Sequence, residues 1–103
     1  MKKVTTPLAV CRIGDLDIVH CSVPIRAEGS PNVLVNGIPW SRQGDLNHPH
    51  LKPCPPECCI HEAPIAKGSP IVLVNGRGGG RVTDNVAGCT TVATGSPNVF
   101  CGG

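Results

Sequence analysis

A chain of 103 residues holds one compact domain and is too short for two that each bury a core. Only Trp40 and Phe100 are aromatic, and 13 Gly with 11 Pro leave a thin interior of Val, Ile, Ala and Cys that needs a staple. The formal charge of +2 is small and unclustered, which gives no electrostatic ground for a nucleic-acid or anionic-lipid partner.

The chain opens with Lys2 and Lys3 but no apolar leader core, and no run approaches the roughly 18 apolar residues of a membrane span. Classical export and membrane insertion are therefore not expected. Next comes Arg12-Ile13-Gly14-Asp15, then a loop to Gly29 that bears His20. The segment Gly29-Ser30-Pro31-Asn32-Val33-Leu34-Val35-Asn36-Gly37 reads as a turn, a short β-branched strand and the strongest two-residue hairpin signal. It leads in register to Arg42-Gln43-Gly44-Asp45.

The longest loop follows, over residues 45–68, with His48, His50, Cys54, Cys58, Cys59 and His61. Gly68-Ser69-Pro70-Ile71-Val72-Leu73-Val74-Asn75-Gly76 then repeats the hairpin segment and leads, at the same interval, to Arg81-Val82-Thr83-Asp84. A third loop carries Cys89. The chain closes on Gly95-Ser96-Pro97-Asn98-Val99-Phe100-Cys101-Gly102-Gly103, a copy that stops where Asn-Gly stands in the others.

The orphan Arg-x-x-Asp at the start completes the truncated copy at the end. Three hairpin units thus close around a pseudo-threefold axis with both termini at one seam, each burying what its neighbours cannot bury alone. Nothing keeps helical periodicity for three turns, and Gly78-Gly79-Gly80 would cost a helix about 1 kcal/mol per Gly. The expected fold is all-β with irregular loops.

The residue five after each Asp is His20, His50 and Cys89. Equivalent loops of a threefold array converge at one end of the axis, so these three side chains meet there. His61, on a loop that crosses the axis and returns, supplies a fourth. A closed set of three imidazoles and one thiolate favours zinc, with iron or copper as lesser candidates, and leaves no open position for water or substrate. The site is expected to be structural. His48 is the nearest competitor to His50, against a surface role for it.

The odd count of seven Cys argues against a fully paired disulfide framework. The cluster Cys54-Pro55-Pro56-Glu57-Cys58-Cys59 is open to a second metal site, a local disulfide or small apolar filling, of which filling is preferred. Cys11, Cys21 and Cys101 are expected to pack as small apolar residues. Arg12, Arg42 and Arg81 with Asp15, Asp45 and Asp84 recur three times, which favours structural pairing or turn capping over catalysis. No nucleophile and base pair stands outside the repeat, so an enzyme is not expected.

The succession of Gly-Ser-Pro-x-Val-x-Val-Asn-Gly, Arg-x-Gly-Asp and a His- or Cys-bearing loop resembles the PAAR-repeat family over nearly the whole chain. Two departures are plain. The Pro-Ala-Ala-Arg tetrapeptide is Pro39-Trp40-Ser41-Arg42 in one copy and Gly78-Gly79-Gly80-Arg81 in the other, and Thr83 replaces the Gly that precedes Asp, so the turn before Asp84 is expected to differ.

The resemblance implies one small conical domain over residues 1–103 with the metal near its vertex. It would be monomeric alone and would sharpen the tip of a trimeric β-helical spike, VgrG-like in type VI secretion or the central spike of a contractile phage tail. Its base would cap that spike by main-chain pairing. Such a protein is made in the cytoplasm, joins the spike or baseplate, and is driven into or through the target envelope, touching the membrane in passing. Any effector would be a separate chain. The competing reading is a small zinc-stabilised module that binds nucleic acid or another protein, which predicts clustered basic residues and stacking aromatics that the chain lacks.

Overall fold

A computed structural model describes residues 7–102, so the reading of Lys2 and Lys3 lies outside the described residues. The fold is all-β, and among the described residues no helix is long and apolar enough to cross a membrane. Strands β2 (Leu34–Val35) and β3 (Ile38–Pro39) form one hairpin, and β6 (Leu73–Val74) and β7 (Arg77–Gly78) form its repeat. Their Asn-Gly corners have φ of 55° and 76° at Asn36 and Gly37, and 54° and 78° at Asn75 and Gly76. Positive φ at both central residues matches the right-handed strand twist, which is why Asn-Gly is selected there. The third unit is assembled from the chain ends, where β1 (Leu8–Ala9) pairs antiparallel with β8 (Phe100–Cys101).

The threefold relation is carried by hydrogen bonds. At the axis Cys11 N–H donates to Gly80 O (3.0 Å), Gly80 N–H to Ser41 O (2.9 Å) and Ser41 N–H to Cys11 O (3.0 Å), a closed main-chain ring. Each following arginine pairs with its aspartate: Arg12 Nε with Asp15 (3.0 Å), Arg42 Nε with Asp45 (2.8 Å) and Arg81 NH2 with Asp84 (2.9 Å). The same carboxylates accept the arginines' backbone N–H at 2.7–2.8 Å, so pairing and turn capping are one arrangement.

Neighbouring units are joined in the same way three times. Arg42 NH1 and Ser30 Oγ both donate to Oδ1 of Asn75, and Arg12 NH1 and Ser96 Oγ both donate to Oδ1 of Asn36. In the third seam Arg81 NH1 and Ser69 Oγ donate to the carbonyl O of Gly102, which stands at the Asn position of its copy. A backbone oxygen thus replaces the missing amide.

Two apolar clusters lie along the axis. Val10, Val35 and Cys101 with Trp40, Val72 and Val99 fill the hairpin layer, while Cys11, Ala63, Ile65, Val86 and Val92 with Val82 and Cys89 fill the loop layer. Gly79 makes room for Trp40, whose indole N–H donates to Gly80 O (3.0 Å); a Cβ at Gly79 would lie 2.5 Å from its ring.

Two expectations need correction. Thr83 has φ of 80°, beside 90° at Gly14 and 88° at Gly44, so the turn before Asp84 is kept and a β-branched residue is held in left-handed space. The loop over 45–68 contains a fourth hairpin, β4 (His50–Cys54) with β5 (Glu57–His61). Pro53 obscured it in sequence, yet a two-stranded ribbon has a free edge on each side where a missing N–H goes unnoticed.

Candidate metal centre

Two loops and this hairpin bring His20, His50, His61 and Cys89 together, with one ligand atom from each lying within 4.8 Å of the others. His50 and His61 are directly opposed partners of the β4–β5 ladder and share a face. Cys89 projects from a tight turn in which its N–H donates to Val86 O (2.9 Å) and Val86 N–H to Thr90 O (2.8 Å). His20 sits on the loop that returns through the Leu16–Ile25 bridge, where its N–H donates to Ser22 O (3.1 Å).

The donor atoms converge on the sulfur. His20 Nε2 lies 2.6 Å and His50 Nε2 3.3 Å from Cys89 Sγ. The other ring nitrogen of His50 donates to the carbonyl of His48 (2.9 Å), which fixes the tautomer and turns the Nε2 lone pair inward. His48 itself is exposed and outside the cluster, contributing a backbone oxygen and no ring.

Nε2 of His61 is buried with no hydrogen-bond partner among the described residues, an arrangement that costs stability unless something satisfies it. A cation held inside the cluster would do so. Burial lowers the His61 pKa below the ordinary imidazole range, helped by His50, Lys52 and His20, so the ring is neutral and able to ligate near pH 7. Burial raises the Cys89 thiol, reinforced by the Asp17 charge and opposed by hydrogen bonds from Thr90 and Asn47 and by the Arg26 charge. A metal ion reverses that preference by stabilising the thiolate. Three imidazoles and one thiol in this small volume can hold a metal ion.

Beneath the ligands lies a buried polar knot. Arg26 and Asp17 form an ion pair at 3.0 Å with both side chains 0% exposed, Asn47 Nδ2 donates to the same Asp17 oxygen (3.0 Å), and Arg26 NH1 donates to Asp45 O (3.1 Å). Position 17 of the first loop, 47 of the second and 86 of the third are equivalent, and the occupants Asp, Asn and Val show no repeat that the sequence would flag.

The thiols follow expectation in part, since Cys11 and Cys101 are buried in the apolar clusters. Cys21 is disulfide-bonded to Cys58 and Cys54 to Cys59, so neither small apolar filling nor a packing role for Cys21 holds. Alternation along β5 sends the adjacent Cys58 and Cys59 to opposite faces, so each meets a different partner. Three thiols stay free: Cys11, Cys101 and Cys89 of the cluster. Compared with known proteins, the chain matches no family model and no curated sequence.

Proposed function

We propose that this chain is a non-enzymatic spike-tip protein that caps a trimeric β-helical spike and is stiffened by one structural zinc ion. One observation carries the reading. Leu34, Leu73 and Phe100 occupy the equivalent position of the three hairpin units and are 56%, 61% and 55% exposed. Three like apolar side chains around a pseudo-threefold axis, beside two-stranded ladders with unpaired edges, suit a partner that is itself threefold. The chain's resemblance to PAAR-repeat proteins points to the same partner, a VgrG-like spike or the central spike of a contractile phage tail.

Zinc fits the donor set because three imidazoles and a thiolate make a closed tetrahedral site, with iron the next candidate. Four protein donors leave no position for a substrate, so the ion serves folding. Structural zinc supplies on the order of 10–16 kcal/mol of apparent binding energy, as large as a domain's whole net stability. A point driven into an envelope needs such a cross-link at its vertex. In this reading the protein is made in the cytoplasm, rides at the tip of the machine and enters or crosses the target envelope.

The test is co-elution with the β-helical trimer of a spike protein on gel filtration. A complex of one chain per trimer is expected, lost when Leu34, Leu73 and Phe100 are all changed to Asp with metal content intact. Failure of the unchanged protein to bind, or undiminished binding by the triple variant, would refute the capping role. Elemental analysis checks the ion separately: one zinc per chain is expected, lost in His20→Ala, His61→Ala and Cys89→Ala.

A further inference from the structure

The four ligands are not held equally well. His50 is buried, 6% exposed, and is fixed opposite His61 by a five-residue ladder. Cys89 sits in a turn closed by two backbone hydrogen bonds, in contact with the loop-layer core. The segment bearing His20 has no ladder, and its backbone is held by His20 N–H to Ser22 O (3.1 Å) within the turn and by Ile18 N–H to Thr91 O (2.8 Å) of the third loop. The segment's apolar residues face solvent, with Ile18 47%, Val19 59% and Val23 48% exposed, so they contribute little burial energy to holding it. Its ties to the hairpin are two hydrogen bonds, Ser22 N–H to Leu51 O (3.3 Å) and Leu51 N–H to Ser22 Oγ (2.9 Å), and the disulfide from Cys21 to Cys58.

Cys21 is the residue after His20, and Cys58 is three residues before His61 on the opposite face of β5. The covalent bond therefore joins the weakly held ligand's backbone to the element that carries two of the other three. The second disulfide, Cys54–Cys59, lies within the hairpin and ties nothing to the His20 loop. Cys21 and Cys58 are both exposed, within reach of a soluble thiol.

We propose that the Cys21–Cys58 disulfide is the positioning element for His20, so that the chain's grip on its metal depends on the redox state of this pair. The inference rests on the metal-centre reading above. In the reaction a dithiol reductant supplies two electrons and two protons. The Cys21–Cys58 bond breaks to two thiols and the reductant closes to its own disulfide. His20 then keeps only the hydrogen-bonded tether, and the site falls toward three ligands. The metal is retained firmly in an oxidising compartment and released readily in a reducing one.

The experiment loads the disulfide-bonded protein with zinc and follows transfer of the ion to a chromogenic chelator, with and without a phosphine reductant that does not bind zinc. Mass spectrometry after alkylation counts the open thiols. Release from the unchanged protein is expected to be about 10–100-fold faster once Cys21 and Cys58 are open, the usual scale for losing a ligand's support. The Cys21→Ser/Cys58→Ser variant should release at the fast rate in either condition. Cys54→Ser/Cys59→Ser should still respond to reductant. Equal release from oxidised and reduced unchanged protein, both shown to be folded by circular dichroism, overturns the proposal without touching the metal centre. Absence of bound zinc from the oxidised protein overturns the metal centre and the proposal together.

Discussion

Exchanging Thr83 and Gly14 tests whether the three turns before the aspartates are one structure used three times. Thr83 holds φ of 80° where its counterparts are Gly14 at 90° and Gly44 at 88°. Left-handed backbone costs an L-residue about 1–2 kcal/mol, whereas glycine adopts it freely but loses about 0.5–1 kcal/mol more in chain entropy on folding. Thr83 is exposed, so removing its side chain forfeits little packing. Thr83→Gly should therefore stabilise the protein by about 0.5–1 kcal/mol, a rise of roughly 2–8 °C in Tm for a domain of this size. The reverse change isolates the backbone term, since a Cβ at Gly14 would have nothing within 4 Å. Gly14→Thr should lower Tm by a similar amount. Thermal melts followed by circular dichroism, in metal-loaded and chelated protein, decide the matter. A Thr83→Gly variant that melts lower, or a Gly14→Thr variant that melts unchanged, would refute the strain assigned to this turn.

Gly80→Ala should destabilise by about 1–3 kcal/mol in the same melts, because its Cβ would lie 2.5 Å from Ser41 O and 2.7 Å from Cys11 Sγ in the axial ring. Asp17→Ala should cost about 3–5 kcal/mol by leaving the Arg26 charge buried and unpaired, and Asp17→Ala with Arg26→Met should recover much of that in chemical denaturation. Cys11 is fully buried and burial pushes its thiol pKa far up, so iodoacetamide at pH 8 should leave it unmodified in folded protein and label it on denaturation, as peptide mass mapping will show. Chelated protein should lose stability as pH falls from about 6.5, since His61 has a depressed folded-state pKa and the unfolded chain binds the proton first; a denaturation midpoint flat between pH 7 and pH 5 would contradict this.

What the sequence made legible was whatever the threefold repetition multiplied. Asn36 and Asn75 mark their corners, the arginine and aspartate pairs keep their spacing, and counting five residues from each aspartate reaches His20, His50 and Cys89, three of the four clustered side chains. His61 required the further idea of a loop that returns, and the β4–β5 ladder that performs the return was hidden by Pro53, Pro55 and Pro56. Features that occur once had no such amplification. The Cys21–Cys58 bond joins residues 37 apart in two loops of different units, and the Asp17–Arg26–Asn47 knot uses a position whose third counterpart is Val86. An odd thiol count argued against complete pairing and was silent about partial pairing.

The same division explains how a thin core suffices. Neither apolar cluster contains more than one aromatic side chain, and many backbone groups near the axis are satisfied by equivalents in other units. The main-chain ring of Cys11, Ser41 and Gly80 cannot lose one member without leaving a buried donor unpaired, so each unit is stable only in the presence of the other two. The loop layer lacks that reciprocity because its three loops differ in length and sequence. The one-off devices gather there: the His and Cys cluster, the buried ion pair and both disulfides. Repetition closes the hairpin layer, and cross-links must close the layer where repetition ends. Opening a cross-link should accordingly raise amide exchange first in the loops bearing His20 and Cys89, and leave the Asn36 and Asn75 hairpins protected.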